Sequence, residues 1–460
     1  MMKRVIFHID VNSAFLSWSA IKLMAEGKPD IRLVPSAVSG DPNDRRSIIT
    51  AKSIPAKAYG INTAEPVSMA LRKCPDLVLV RGDWDWYRQC SERFIAICRA
   101  CSPVLQQFSI DECFLDMTEA LRGRDPVRVA TALKDDICAR LGFTVNVGIG
   151  SNKLLAKMAS DFEKPDRVHT LWSEEVPAKM WPLPVRDLLW VGKKTEARLS
   201  AYGIGTIGEL ARTGMLTLTN LVGHKAAQML HDSANGIDPS PVDTEEYEAK
   251  SYSAERTFEK DIRDPKALDR ALVHVACIVA HRIRRDQFQA RGVSVFVKSY
   301  DFVVRSKQCQ MEQPTDVTAL ILNTARKMIP EIWDGYTPLR QVGLGVAKLT
   351  HEATWQLSLF EDEKMEYYRQ WDREYDERMA AEENKRYRQR GKEQILTFSY
   401  NQGEEALRAA KEAIRTKRGA MFGRITLPDG TDGFEVKDGS GKVIERHLVQ
   451  QGSLKSSNSE

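Results

Sequence analysis

Val104-Leu105-Gln106-Gln107-Phe108-Ser109-Ile110-Asp111-Glu112-Cys113-Phe114-Leu115-Asp116-Met117 reads as two strands that meet at an acidic pair. Apolar residues flank Asp111-Glu112, and carboxylates set into such a run are costly unless a cation or partner neutralises them. Far upstream, Val5-Ile6-Phe7-His8-Ile9 closes on Asp10. Residues 3–11 have the pattern of a fully buried strand and are too short for a signal-peptide core. Hard oxygen ligands from separate strands suit Mg²⁺, which takes a few carboxylates and leaves positions for water and substrate phosphates. The same acids would also serve as strand-end residues facing solvent, and spacing alone leaves both readings open.

Residues 126–141 carry a helical period and 143–149 another strand pattern. Strand, hairpin, helix and strand predict an α+β layer, with helices packed on one face of a mainly antiparallel sheet. Residues 13–82 hold helix-like stretches and the charged loop Gly40-Asp41-Pro42-Asn43-Asp44-Arg45-Arg46. Residues 182–240 read as short helices punctuated by Gly192, Gly203, Gly205, Gly208, Gly223 and Gly236. Strand patterns return at 250–258, 291–298, 301–309 and 340–348, with helices between. Residues 361–393 contain eleven acids and nine bases, the texture of an exposed helix. Tyr367, Tyr368, Trp371 and Tyr375 predict that one of its stripes packs on something. Beyond it, 404–418 reads as a helix, Phe422 to Arg446 as two or three strands with glycine turns, and Gln450 to Glu460 as a frayed end.

A chain of 460 residues implies about three to five modules. With 42% hydrophobic and 28% charged residues it is neither collagenous, wholly disordered nor a membrane bundle. No apolar run approaches the roughly 20 residues that span a bilayer. Eight scattered cysteines, with one C-x-x-C at Cys98 and Cys101, read as core thiols in a reducing cytosol. The net charge of +4 says little, but seven Lys or Arg stand against two acids between His281 and Cys309. That local excess points to an anionic partner.

The run Asp10-Val11-Asn12-Ser13-Ala14-Phe15, the later Ser109-Ile110-Asp111-Glu112, and Gly148-Ile149-Gly150-Ser151-Asn152-Lys153-Leu154-Leu155-Ala156-Lys157-Met158-Ala159-Ser160-Asp161 followed by Lys164-Pro165 stand in this order. Together they resemble the motifs of Y-family DNA polymerases, closest to the bacterial DNA polymerase IV branch, over about residues 3 to 360. The resemblance implies a multidomain α+β right hand. Its palm would be 1–12 and 83–172, small fingers 13–82, a helical thumb with a helix-hairpin-helix 173–240, a linker 241–249 and an α/β little finger 250–350. Residues 361–460 are a C-terminal extension to which the resemblance assigns no role. It further implies a cytoplasmic, monomeric, Mg²⁺-dependent enzyme for translesion synthesis and DNA repair. That enzyme would join deoxynucleoside triphosphates to a primer 3′-hydroxyl on template DNA, with low fidelity and no proofreading. A catalytically silent, clamp-binding repair scaffold is the alternative, which retention of Asp10, Asp111 and Glu112 disfavours.

Residue by residue, Asp10, Asp111 and Glu112 match the family's catalytic metal-binding carboxylates, and the carbonyl of Val11 its main-chain ligand, for two Mg²⁺ per active site. Asn12 stands where many relatives carry another acid. Phe15 matches the bulky residue that closes off the sugar's 2′ side, and Lys164 a lysine that contacts phosphate. In the fingers a tyrosine and an arginine that usually face the triphosphate are replaced by Ile54 and Lys57. Isoleucine removes a contact of about 0.5–1.5 kcal/mol, and lysine keeps charge without the bidentate fork.

In the thumb, Val191-Gly192-Lys193-Lys194-Thr195-Glu196-Ala197-Arg198-Leu199 resembles a helix-hairpin-helix, with Trp190 where the first glycine usually stands. Gly223-His224-Lys225 repeats the turn. Glycine turns feeding helix N-termini aim free N–H groups at phosphates, so Gly192, Lys193, Lys194 and Lys225 are candidate DNA contacts. So are Arg291, Lys298, Arg305 and Lys307 on the basic strands. Gln356-Leu357-Ser358-Leu359-Phe360 resembles the pentapeptide by which bacterial polymerases engage the sliding clamp.

Overall fold

The computed structural model describes residues 4–41, 46–245, 248–351 and 362–394, and beyond them strands at 421–426, 432–437, 443–450 and 453–457. The expected clamp peptide at 356–360 and the expected helix at 404–418 lie outside the described residues. The chain divides into two units, 1–245 with 393–460, and 246–392. Among the described residues no helix is long and apolar enough to cross a membrane. All eight cysteines are free thiols, five of them buried.

In the first unit β1 (Ile6–Val11) leads into α1 (Ala14–Ala25). Next come β2 (Ser36–Ser39), β3 (Ile49–Lys52), α2 (Ile54–Ala58), α3 (Val67–Lys73) and β4 (Val78–Arg81). The three strands form a small sheet in the order β3-β2-β4 over Ala37, Ile49, Ala56, Val67 and Leu77. The sequence pattern predicts helices and a loop here and no sheet. Each strand is only four residues long, too short for an alternation to register.

Then follow α4 (Trp84–Cys101), β5 (Leu105–Gln107), β6 (Glu112–Asp116), α5 (Pro126–Leu141), β7 (Val145–Gly150), α6 (Lys153–Asp161) and β8 (Val168–Leu171). The sheet runs β5-β6-β1-β7-β8, antiparallel throughout except for β7 with β8. Local signals delimit α5. The Asp125 carboxylate accepts from Arg128 N–H, Pro126 opens the helix, and Gly142 at φ 75° closes it. Phe7, Ile9 and Val11 of β1 turn to one face and join Val145, Val147, Phe94, Leu133 and Ile137 in the main core.

The other face is not bare, which corrects the expected one-sided packing. A Cβ on Gly148 would collide with the Ala156 carbonyl, and one on Gly150 would lie 2.6 Å from Ala156 N. Two glycines without side chains therefore let the α6 backbone rest directly on β7.

The short helices expected at 182–240 are α7 (Lys193–Ser200), α8 (Ile207–Arg212), α9 (Met215–Val222) and α10 (His224–Ala234). They close around Leu199, Ile207, Leu210, Leu218 and Leu230.

The second unit comprises β9 (Ser251–Ile262), α11 (Pro265–Arg285), β10 (Gln289–Ser299), β11 (Val304–Thr315), α12 (Thr318–Ile332), β12 (Leu339–Thr350) and α13 (Asp362–Gln394). The order β11-β10-β12-β9 is wholly antiparallel. Val293, Val295, Val297, Val342, Leu344 and Val346 face α11 and α12, burying Val275, Val279, Ile321 and Met328. The interleaved Ser294, Phe296, Lys298, Gly343 and Gly345 occupy the opposite face.

One stripe of α13 packs down, as its aromatics lead one to expect. Trp371 and Tyr375 stack with ring centres 5.8 Å apart. Buried Asp372 accepts from Thr318 N–H at the start of α12 (3.1 Å), and Arg284 forks onto Asp376 at 2.7 and 2.8 Å.

The C-terminal strands β13 (Met421–Thr426), β14 (Asp432–Lys437), β15 (Val443–Gln450) and β16 (Ser453–Ser457) form an antiparallel sheet in chain order. This is more than the two or three strands expected. β16 falls where a frayed end was expected, because backbone pairing with β15 needs no apolar side chains.

Candidate active site

Strand register builds the site. Asp10 pairs with Glu112 across β1 and β6 and with Asn146 across β1 and β7, while His8 pairs with Phe114 and Gly148. Side chains alternate, so His8, Asp10, Glu112 and Asn146 share the face on which α6 rests. The loop before β6 is tied to β1 by the Val11 N–H, which donates to the Asp111 carbonyl at 3.0 Å. The Asp111 side chain accepts from the Ser109 hydroxyl at 2.6 Å. Burial, with Asp10 and Glu112 as negative neighbours, pushes its carboxyl above the usual range.

Each of the other two carboxylates faces a lysine. Lys157 Nζ lies 2.6 Å from Glu112 Oε2, and Lys164 Nζ lies 2.9 Å from Asp10 Oδ1 and 2.8 Å from Asp161 Oδ1. Glu112 Oε2 also accepts from His8 Nε2 at 3.0 Å. Burial alone would raise the Glu112 pKa, but His8 and Lys157 outweigh it and bring it to about 2. His8 is fully buried, which pushes its pKa down and keeps the ring neutral. Burial also works against the charge on Lys164, yet Asp10 and Asp161 hold its pKa above the usual lysine value.

The residues fit a divalent cation by chemistry: three acids, all hard oxygen donors, with a mutual repulsion that a cation would relieve. Among the described residues, no three or more His, Cys, Asp or Glu side chains are gathered closely enough to hold a metal ion as they stand. Asp10 and Glu112 are instead each paired with a lysine, Lys164 and Lys157.

Phe15 stacks on Tyr87 (4.9 Å, 21°) and meets Trp84 and Trp18 edge-on, at 5.1 and 5.9 Å. One side of the ring is thus fixed by aromatics, and the residue is half-buried rather than lost in the core. Asn12 is buried and structural. It donates to Asn146 Oδ1 (3.1 Å) and accepts from Asp166 N–H (2.9 Å), while Asn146 donates to the Ser160 and Glu163 carbonyls. An aspartate could not make both Asn12 bonds, because a carboxylate has no donor for Asn146. These amides hold the loop that presents Lys164.

Lys57 is exposed on α2, and Ile54 beside it is 55% exposed. No hydrogen bond or ion pair joins Lys57 to the carboxylates. Trp190 takes φ 75°, a left-handed conformation natural to glycine, and is 60% exposed. Gly192 and Gly223 precede α7 and α10, neither of which has a side-chain cap; Lys193, Lys194 and Lys225 beside them are exposed.

In the second unit the candidates separate. Arg305 pairs with Val297 and Lys307 with Val295, so both belong to the helix-bearing face, where Lys307 reaches Glu331 at 2.6 Å. Lys298 belongs to the open face. Arg291 donates to the Met311 carbonyl at 3.1 Å.

The sequence reading missed His8, Lys157, Asn12 and Asn146 as a supporting shell. Two signals were available: His8 stands two residues before Asp10 in a strand, and Lys153 and Lys157 are one helical turn apart.

Family models match residues 9–161 (impB/mucB/samB family), 249–359 (impB/mucB/samB family C-terminal domain) and 186–238 (DNA polymerase-iota, thumb domain). DNA polymerase IV of Clostridium acetobutylicum is 39% identical over 363 residues, 78% of this chain and 91% of that protein. DNA polymerase IV of Pelotomaculum thermopropionicum is 36% identical, over 78% of this chain and 88% of its own length. Among solved structures, a chimeric Y-family DNA polymerase superposes with TM-score 0.66 at 19% identity, over 76% of this chain and all of that one. Shared motifs, matched domains and sustained identity place this chain in the impB/mucB/samB family, the Y-family of DNA polymerases.

Proposed function

We propose that the chain is a template-directed DNA polymerase of the translesion class, transferring a nucleotide to a primer 3′-hydroxyl with Mg²⁺, two ions per site. The observation that carries this is the register that sets Asp10 against Glu112 beside Asp111, with Lys157 and Lys164 supplied from α6 and the loop after it. Asp10, Asp111, Glu112 and the Val11 carbonyl would hold the cations. When bound, these supply charge neutralisation at the leaving pyrophosphate and lower the pKa of the primer hydroxyl.

The protein's own groups do the rest. Lys164 exchanges Asp10 for a triphosphate oxygen, Lys57 adds a second positive charge, and the braced Phe15 ring excludes a 2′-hydroxyl. The same family reading assigns 1–12 and 83–172 as palm, 13–82 as fingers, 173–240 as thumb, 241–249 as linker and 250–350 as little finger. Gly192, Lys193, Lys194 and Lys225 would meet DNA phosphates at uncapped helix N-termini. Lys298 on the open sheet face is a stronger candidate contact than Arg291, Arg305 or Lys307. Gln356 to Phe360 would tether the enzyme, a cytoplasmic monomer, to the bacterial sliding clamp.

Primer extension with Mg²⁺ and four deoxynucleoside triphosphates tests the reading. The chain should extend a primed template, and Asp111→Ala should not. No extension by the unaltered chain would favour the silent scaffold instead.

A further inference from the structure

Glu112 is held through one oxygen. Its Oε2 receives His8 Nε2–H at 3.0 Å and Lys157 Nζ at 2.6 Å, whereas Oε1 has no hydrogen-bond partner among the described residues. The His8 ring is itself immobilised. It is 0% exposed, its Nδ1 lies 2.8 Å from the Ser160 hydroxyl, and the Phe114 ring centre is 4.7 Å from its own. Ser160 is carried by α6, which reaches this position only because Gly148 and Gly150 let the helix lie on β7. A buried imidazole bridging a helix hydroxyl and a strand carboxylate has one orientation, and it passes that orientation to the carboxylate.

We propose that His8 is a positioning residue: with Lys157 it fixes the Glu112 carboxylate through Oε2 and so reserves Oε1 for a divalent cation. This rests on the reading of Glu112 as a metal ligand. Groups that orient a metal ligand from behind typically govern affinity by about 10–100-fold. Lys157 can follow its carboxylate along a flexible stem, while His8 cannot move, so the directional constraint lies with His8.

The test measures metal binding apart from turnover. The full-length enzyme is assembled with a dideoxy-terminated primer, template and the next nucleotide, and Mn²⁺ binding is followed by electron paramagnetic resonance. His8→Phe keeps the ring volume and removes both nitrogens. His8→Gln restores a side-chain N–H donor. His8→Phe should weaken Mn²⁺ binding about tenfold and shift the Mg²⁺ dependence of extension by the same factor, with duplex affinity unchanged. His8→Gln should recover most of both losses.

Unchanged Mn²⁺ binding in His8→Phe, with Glu112→Ala weakened, overturns the role of His8 alone. Unweakened binding in Glu112→Ala overturns the ligand assignment beneath it. Equal losses in the Phe and Gln variants would show that packing, not the donated hydrogen bond, is what matters, and would also overturn the proposal. Should His8→Phe fail to fold, Ser160→Ala frees the ring at its other end. It should weaken Mn²⁺ binding in the same direction by about threefold, and no change would count against the proposal.

Discussion

Lys164 Nζ lies 2.9 Å from Asp10 Oδ1, so the lysine expected to meet a triphosphate is bound to a carboxylate expected to meet a metal. The two assignments are therefore coupled. Were Asp10 to hold a cation, Lys164 would be released from it and its charge would be available to a phosphate.

Asp111→Asn should lower the extension rate about 10³-fold or more, since losing a ligand from a metal-dependent site costs several kcal/mol of transition-state stabilisation. Duplex affinity should stay within about twofold. In EDTA the variant should also melt above the unaltered protein, because the Asp111 carboxyl is held above its usual pKa by burial and by Asp10 and Glu112, and losing its charge relieves that. Scanning calorimetry beside a single-turnover assay reads both.

Glu112 gives a pH signature of opposite sign. Its folded pKa of about 2 lies below the ordinary 4.5. Its ionised form therefore stabilises the fold above about pH 4.5, and the contribution disappears as pH falls toward 2. Urea unfolding in EDTA should find Glu112→Gln less stable than the unaltered protein at pH 7, with the gap closing as pH is lowered through that window.

Phe15→Ala should raise ribonucleotide incorporation relative to deoxyribonucleotide, because the ring leaves its place beside Tyr87 and Trp84. The half-buried ring also packs on those neighbours, so the variant should lose about 2 kcal/mol of stability. Competition between the two nucleotides in one reaction gives the ratio independently of how much protein is folded. An unchanged ratio would remove Phe15 from the sugar gate.

Lys298 and Lys307 should differ in the salt dependence of duplex binding. Lys298→Ala should reduce the log–log slope by about 0.9, one phosphate's worth. Lys307→Ala should change it little, since Lys307 is on the helix-bearing face and engaged by Glu331. Fluorescence anisotropy over a salt series separates them, and equal effects would mean the DNA does not use the open face.

Leu359→Ala with Phe360→Ala should abolish stimulation by added clamp on a long primed circle, while extension of a short primer stays unchanged. Apolar anchors of this kind carry about 2 kcal/mol or more each. Tethering changes how often the primer end is revisited and leaves the transfer barrier alone. Loss of basal extension would assign the pair a structural role instead.

The elements that carry chemistry are written locally in the chain. Apolar strands ending or interrupted by Asp10, Asp111 and Glu112, the capped helix 126–141 and the glycine turns before Lys193 and Lys225 are local patterns, legible because residue type and period act over a few positions. Motif order then identified the family. Tertiary structure decided which side chains meet. Nothing near Glu112 in the chain announces His8 or Lys157, and nothing near Asn12 announces Asn146 or Asp166; register between β1, β6 and β7 and the close seating of α6 on Gly148 and Gly150 bring them together. The basic run from His281 to Cys309 likewise predicted an anionic partner, but only strand pairing showed Lys298 on one face of the sheet and Lys307 on the other. Periodicity tells which side of its own strand a residue occupies; what stands opposite depends on contacts between residues far apart in the chain, and those exist only once the layers have packed.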